Sequence, residues 1–158
     1  MDLLEPIEVL GVKVIINPIK FKDNLQLQIL FELREKLSEN LDVRFVFVHS
    51  PTNEEYDEEL EVYEIPANRV GKFKVNFLVA PPILYLEKLV DVFGITLLLI
   101  QFTYITREFT RIGYYVNNEL YGPVERDSKS NLFFKMNFSE RNILEKQPRI
   151  TKFSQRFN

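Results

Sequence analysis

The sequence predicts an all-β domain: a sandwich of immunoglobulin-like class, with short helical turns in its loops. Three features carry that prediction. Apolar residues recur at every second position along most of the chain, the period of strands buried on one face. Proline, glycine and asparagine punctuate those runs, at Asn17-Pro18, Ser50-Pro51-Thr52-Asn53, Pro66-Ala67-Asn68, Pro81-Pro82 and Gly122-Pro123. Helical periodicity is scarce, and heptads and internal repeats are absent. Many short strands between polar turns make a sandwich. The chain has no cysteine and no tryptophan, so it lacks the Cys…Trp…Cys hallmark of antibody domains and the likeness is one of architecture.

Taken in order, Val12, Val14 and Ile16 form an opening strand, with Ile7 and Val9 on the other parity. The slip at Leu10-Gly11 predicts a bulge. Leu25, Leu27, Ile29, Phe31 and Leu33 share one face of the next strand, and Gln26, Gln28 and Glu32 share the other. Leu41, Val43, Phe45 and Phe47 alternate with Asp42 and Arg44, and Phe73, Val75, Phe77 and Val79 with Lys74 and Asn76. Two helical turns are expected, over Glu54–Tyr63 and Glu140–Lys146. Leu132, Phe134, Met136 and Phe138 form a late strand, and Thr151, Phe153 and Phe157 lie along a last one.

A chain of 158 residues suits one domain, 1–158, and buries enough surface to need no disulfide or metal staple. The absence of cysteine fits a reducing compartment. The longest mostly apolar run, Val92–Ile100, is too short to cross a bilayer, and Met1-Asp2-Leu3-Leu4-Glu5 lacks the basic start of a signal peptide. A soluble intracellular protein is the expectation. The net charge of −3 disfavours direct nucleic-acid binding. Glu54, Glu55, Asp57, Glu58, Glu59, Glu61 and Glu64 crowd one segment. They form either a solvated loop or a surface that steers a basic partner.

One hairpin stands apart. Ile95–Ile105 and Phe109–Asn117 pair around Thr106-Arg107, and both strands carry large side chains on both faces. Leu98, Ile100, Phe102 and Tyr104 suit the core, as do Ile112, Tyr114 and Val116. Phe109, Arg111, Gly113 and Tyr115 then share the second face of their strand. A turn centred on Thr106 sets Leu97 opposite Tyr115, Leu99 opposite Gly113 and Gln101 opposite Arg111. The outward face becomes an apolar patch of Ile95, Leu97, Leu99 and Tyr115 bordered by Arg111. An apolar centre with a charged rim is how protein-binding sites are built. The alternative is that a terminus or loop covers this face.

Nothing in the sequence supports catalysis. His49, the one histidine, sits beside a turn and reads as a surface residue. The acidic run lacks calcium-loop spacing, the five glycines are scattered, and there is no nucleophile elbow. No catalytic residue, metal site or cofactor is expected. A generic sandwich adaptor that binds a peptide by strand addition is the main rival to any more specific reading.

Four blocks, in order, resemble the anti-silencing function family of histone chaperones. They are Val14-Ile15-Ile16-Asn17-Pro18 with Phe21 and Phe31-Glu32; Glu54-Glu55-Tyr56-Asp57 with Leu60; Asp91 to Glu119, including Glu108-Phe109, Arg111 and Gly113-Tyr114-Tyr115-Val116-Asn117-Asn118-Glu119; and Arg141-Asn142-Ile143-Leu144 with Pro148-Arg149-Ile150-Thr151-Lys152-Phe153. Together they cover nearly the whole chain. The resemblance implies an elongated sandwich in the nucleus, a monomer that binds a histone H3–H4 dimer, blocks the H3–H3 contact and hands histones over in nucleosome assembly and disassembly. It implies an H3-facing surface of Val48, Asp57, Asp91, Ile95, Leu97, Leu99, Arg111 and Tyr115. It implies strand addition by the H4 tail near Leu144, Pro148, Arg149 and Thr151. A separate site for chromatin-assembly co-chaperones matches Phe31, Glu39, Asn40 and Asp42. Here the chain departs from the family: Asn40 stands for an aspartate and Val43 for a tryptophan. Thr52 replaces an acidic residue, and Lys129–Asn137 is richer in phenylalanine.

Overall fold

The computed structural model describes residues 5–49, 57–83, 94–120, 139–154 and 157. The expected strand over Leu132–Phe138 lies outside them, as do Asp91, Thr52 and the turns at Ser50–Asn53 and Gly122-Pro123. Ten strands are described: β1 Ile7–Val14, β2 Ile19–Lys20, β3 Leu25–Leu33, β4 Leu41–Val48, β5 Glu58–Ile65, β6 Gly71–Val79, β7 Gly94–Tyr104, β8 Arg107–Leu120, β9 Ser139–Ile143 and β10 Arg149–Lys152. They form two curled sheets, one ordered β1-β3-β6 and one ordered β2-β9-β8-β7-β4-β5, with β10 also on β8.

The apolar parity of each strand faces inward. In β3, Leu25, Leu27, Ile29, Phe31 and Leu33 are all buried, and in β4 so are Leu41, Val43, Phe45 and Phe47. Aromatic pairs knit the two sheets: Phe31 of β3 meets Phe102 of β7 edge-on at 5.8 Å, and Phe77 of β6 meets Phe45 of β4 at 5.4 Å. The expected bulge in β1 falls between Val9 and Gly11, where the sequence slips parity.

Four expectations are corrected. No helix occurs among the described residues. Of the expected helical turn Glu54–Tyr63, the part from Glu58 lies in strand β5, where Leu60, Tyr63 and Ile65 are half-buried against the core. The acids belong to a sheet edge, where charge discourages further pairing. The second helical turn is replaced by β9, which pairs with β8 over Val116–Leu120, and a turn follows it. Ile16 lies beyond β1 and is exposed; the opening strand ends at Val14. The last strand stops at Lys152, while Phe157 returns to the core, stacked on Tyr104 at 5.7 Å.

The hairpin turn is also one residue earlier than expected. Ile105 and Thr106 close it, both at positive φ, 46° and 62°. A bulge then restores the expected register, because Thr103 pairs with Glu108 while Phe102 pairs with Thr110. That leaves Phe109 as the extra residue, and it turns inward, 4% exposed, against Phe102. Phe109 therefore belongs to the core, away from Arg111 and Tyr115.

Candidate protein-binding face

Strands β4, β7, β8 and β10 lie side by side and build three rungs across the outer face of the larger sheet. The first runs Val48, Leu97, Tyr115. The second runs Val46, Leu99, Gly113, Arg149. The third runs Arg44, Gln101, Arg111, Thr151. Two rungs are largely apolar and one is polar, and this follows from the parity of each strand. The core takes Leu98, Ile100 and Phe102 from β7 and Ile112, Tyr114 and Val116 from β8, all buried, so the intervening residues must face outward.

Leu97, Leu99 and Tyr115 are half-buried, Ile95 is 58% exposed, and Val48 is buried. β10 joins in the plane of the sheet, beside β8, rather than across the leucines. Gly113 is the floor of the strip. A methyl group there would lie 3.3 Å from Leu99 Cδ2 and 3.6 Å from Leu97 Cδ1, so glycine lets both leucines lean into the sheet. The hairpin is fastened at its open end by Asn118, whose side-chain N–H donates to Thr96 Oγ1 at 2.8 Å and to the Gly94 carbonyl at 3.2 Å.

Ion pairs flank the polar rung. Arg44 Nε lies 2.5 Å from Glu59, and Arg111 makes a two-pronged pair with Glu108. That hydrogen bonding raises the Arg111 pKa above its ordinary value, against a smaller opposing effect of burial. Arg149 lies over the Tyr115 ring at 5.1 Å. Burial pushes the Tyr114 phenol up to about 12, and nearby Glu145 adds to the effect.

The predicted residues are brought together unevenly. Ile95, Leu97, Leu99, Arg111 and Tyr115 share one face. Asp57 is half-buried just before β5, one step beyond the Phe47–Glu58 pair that ends that ladder. Of the residues matched to H4, Leu144 is half-buried and donates its N–H to the Tyr115 carbonyl at 2.9 Å. Pro148, Arg149 and Thr151 are exposed. Arg149 and Thr151 continue the second and third rungs, so these two residues share the face that carries Leu97, Leu99 and Arg111. Val46 and Glu108 were missed, and Gly113, placed on this face, was left out of the predicted set. Val46 was readable, with Val48, as an apolar residue on the Asp42 and Arg44 parity. Glu108 was hidden by the bulge.

The third set is split: Asp42 lies one rung beyond Arg44 on the same face, opposite Thr103, and the others lie away from the strip. Phe31 is buried and lines a cavity of about 230 Å³ with Leu33, Leu41, Ile65 and Phe73. Glu39 and Asn40 are exposed and Asp42 is half-buried; Asn40 Nδ2 donates to Glu64 at 3.5 Å. Val43, one residue on from Asp42, is fully buried. Among the described residues no group of three or more histidines or carboxylates is placed to hold a metal ion.

A sandwich whose sheet face carries an apolar strip edged by paired charges belongs to the class of protein-binding modules. Comparison with known proteins narrows this. Residues 5–158 match the model of the ASF1 like histone chaperone family. "Histone chaperone asf1" of Emericella nidulans is 37% identical over 148 residues, covering 94% of this chain and 53% of the relative. "Histone chaperone cia1" of Schizosaccharomyces pombe is 37% identical over 153 residues, covering 94% and 58%. "Histone chaperone ASF1" of Saccharomyces cerevisiae is 34% identical over 148 residues, covering 94% and 53%. The chain belongs to the ASF1-like histone chaperone family, and it spans about half the length of the curated relatives it matches.

Proposed function

We propose that this chain is a nuclear histone chaperone that binds an H3–H4 dimer on the β4–β7–β8 face. The strip of Ile95, Leu97, Leu99 and Tyr115, with Val48 beneath and Arg111 at its border, takes an apolar helical surface of H3. Asp57 and Asp91 add acidic contacts to a basic partner. Occupying that surface of H3 blocks the H3–H3 contact and keeps histones as dimers for nucleosome assembly and disassembly. The H4 tail adds as a strand near Leu144, Pro148, Arg149 and Thr151, where backbone bonds give affinity and side-chain pockets choose the partner. The protein acts by binding as a monomer and performs no chemistry. The co-chaperone site at Phe31, Glu39, Asn40 and Asp42 is kept with altered specificity, because Asn40 weakens its acidity.

The observation that carries this reading is the half-buried Leu97–Leu99 strip on a sheet face that the terminal strand β10 extends rather than covers. Leu97→Arg is the test. Burying a leucine contributes about 1.5–3 kcal/mol, and an arginine there would be desolvated without a partner. Calorimetric affinity for purified H3–H4 is expected to fall by more than about tenfold, while circular dichroism stays native. A folded variant that keeps full affinity would sink the assignment. Pull-downs with the other core-histone pair separate it from a generic strand-adding adaptor, which would not prefer H3–H4.

A further inference from the structure

The bulge in β8 places a residue that strand parity alone would not. Glu108 and Arg111 are three apart, and in an unbroken strand an odd separation puts two side chains on opposite faces. The ladder breaks between them, with Phe102 opposite Thr110 and Thr103 opposite Glu108. Phe109 and Thr110 are consequently both buried, and Glu108 turns onto the outer face beside Arg111.

The contact is specific. Arg111 Nε donates to Glu108 Oε1 at 2.6 Å and Nη2 donates to Oε2 at 2.7 Å, the two-pronged geometry in which a planar guanidinium is held in orientation as well as in place. The Phe153 ring lies 5.6 Å from the guanidinium carbon. Phe153 is itself fixed to the bulge, its N–H donating to the Phe109 carbonyl at 3.0 Å. The side chains of the pair are only 39% and 22% exposed. Among the described residues, Nη1 of Arg111 has no hydrogen bond and is the edge left for a partner.

We propose that Glu108 is a positioning residue for Arg111, holding the guanidinium so that its Nη1 edge is a ready-oriented donor to a carbonyl or carboxylate of the bound partner. This rests on the reading of the strip as the H3–H4 surface. The ordering of a long arginine is then complete before binding instead of being lost during it. A carboxylate placed only to neutralise the arginine would instead compete with the partner for it.

A double-mutant cycle separates these roles. Calorimetry of H3–H4 binding is run on the wild type, Glu108→Ala, Arg111→Ala and the double variant at one salt concentration. Glu108→Ala is expected to weaken binding about three- to tenfold, the cost of ordering one long side chain. Arg111→Ala is expected to weaken it at least as much, and the double variant no more than Arg111→Ala alone. Unchanged or tighter binding by Glu108→Ala, or losses that simply add, overturn the proposal. NMR of the arginine Nε–H signals tests the same point without histones. The Arg111 Nε–H should exchange slowly in the wild type and rapidly in Glu108→Ala; rapid exchange in the wild type overturns the proposal. Failure of the wild type to bind H3–H4 would remove the function proposed above, while the Nε–H signal still reports on Glu108.

Discussion

The turn that closes the β7–β8 hairpin works against itself. Ile105 and Thr106 both hold positive φ, as a two-residue type I′ turn requires to match the twist of its strands. Both are β-branched, and left-handed backbone drives Cβ toward the following carbonyl at a cost of roughly 1–2 kcal/mol per residue. Ile105 is 55% exposed, so replacing it forfeits little burial. Ile105→Asn with Thr106→Gly supplies the pair that this turn favours. Glycine returns roughly 0.5–1 kcal/mol of freedom to the unfolded chain, which offsets part of the gain. A net stabilisation of about 1–2 kcal/mol remains. Urea unfolding followed by circular dichroism should show a higher midpoint with an unchanged slope. A midpoint that stays or falls refutes the strain argument.

Two further outcomes are expected. Tyr114 is 4% exposed with its pKa raised to about 12, so its contribution of about 2–3 kcal/mol is present below pH 10 and is lost as pH rises toward 12. Thermal unfolding of Tyr114→Phe should therefore lose less stability than the wild type across that window, and parallel losses would count against the burial argument. Gly113→Val places methyl groups against Leu97 and Leu99. It should lower stability by about 1–3 kcal/mol through overpacking, read as a drop in melting temperature, and a wild-type value would show that the leucines have room to move.

Most of the sandwich was legible because one-sided burial imposes a strict period of two. β3, β4, β6 and the inward set of β7 follow the alternation residue by residue. Legibility failed where charge replaced that signal. Glu58–Tyr63 fell within an expected helical turn, yet it belongs to an edge strand crowded with acids, whose ladder with β4 is broken at the bulge between Phe45 and Val46. The same weakness hid Ile19–Lys20, a strand of two residues too short to show a period. The site was half legible. Register arithmetic paired Leu97 with Tyr115 and Leu99 with Gly113 as the structure does. Position along the chain gave no sign that Phe109 leaves that face and Glu108 joins it. An inserted residue reverses parity locally, and only the ladder on the partner strand reveals it.

The order of the three rungs has a consequence for a basic partner. Arg44 and Arg111 stand at the polar end of an otherwise apolar strip, where free guanidinium groups would repel a positively charged protein. Each is paired, Arg44 with Glu59 across to β5 and Arg111 with Glu108 across the bulge. Exposed pairs of this kind contribute little to stability, so that is a weak reason for both arginines to be matched. Pairing instead offsets the charge of these two arginines at short range while keeping their directed donors. On the proposed reading, the strip supplies burial, the acidic residues elsewhere on the chain supply attraction, and the paired arginines supply orientation without charge repulsion.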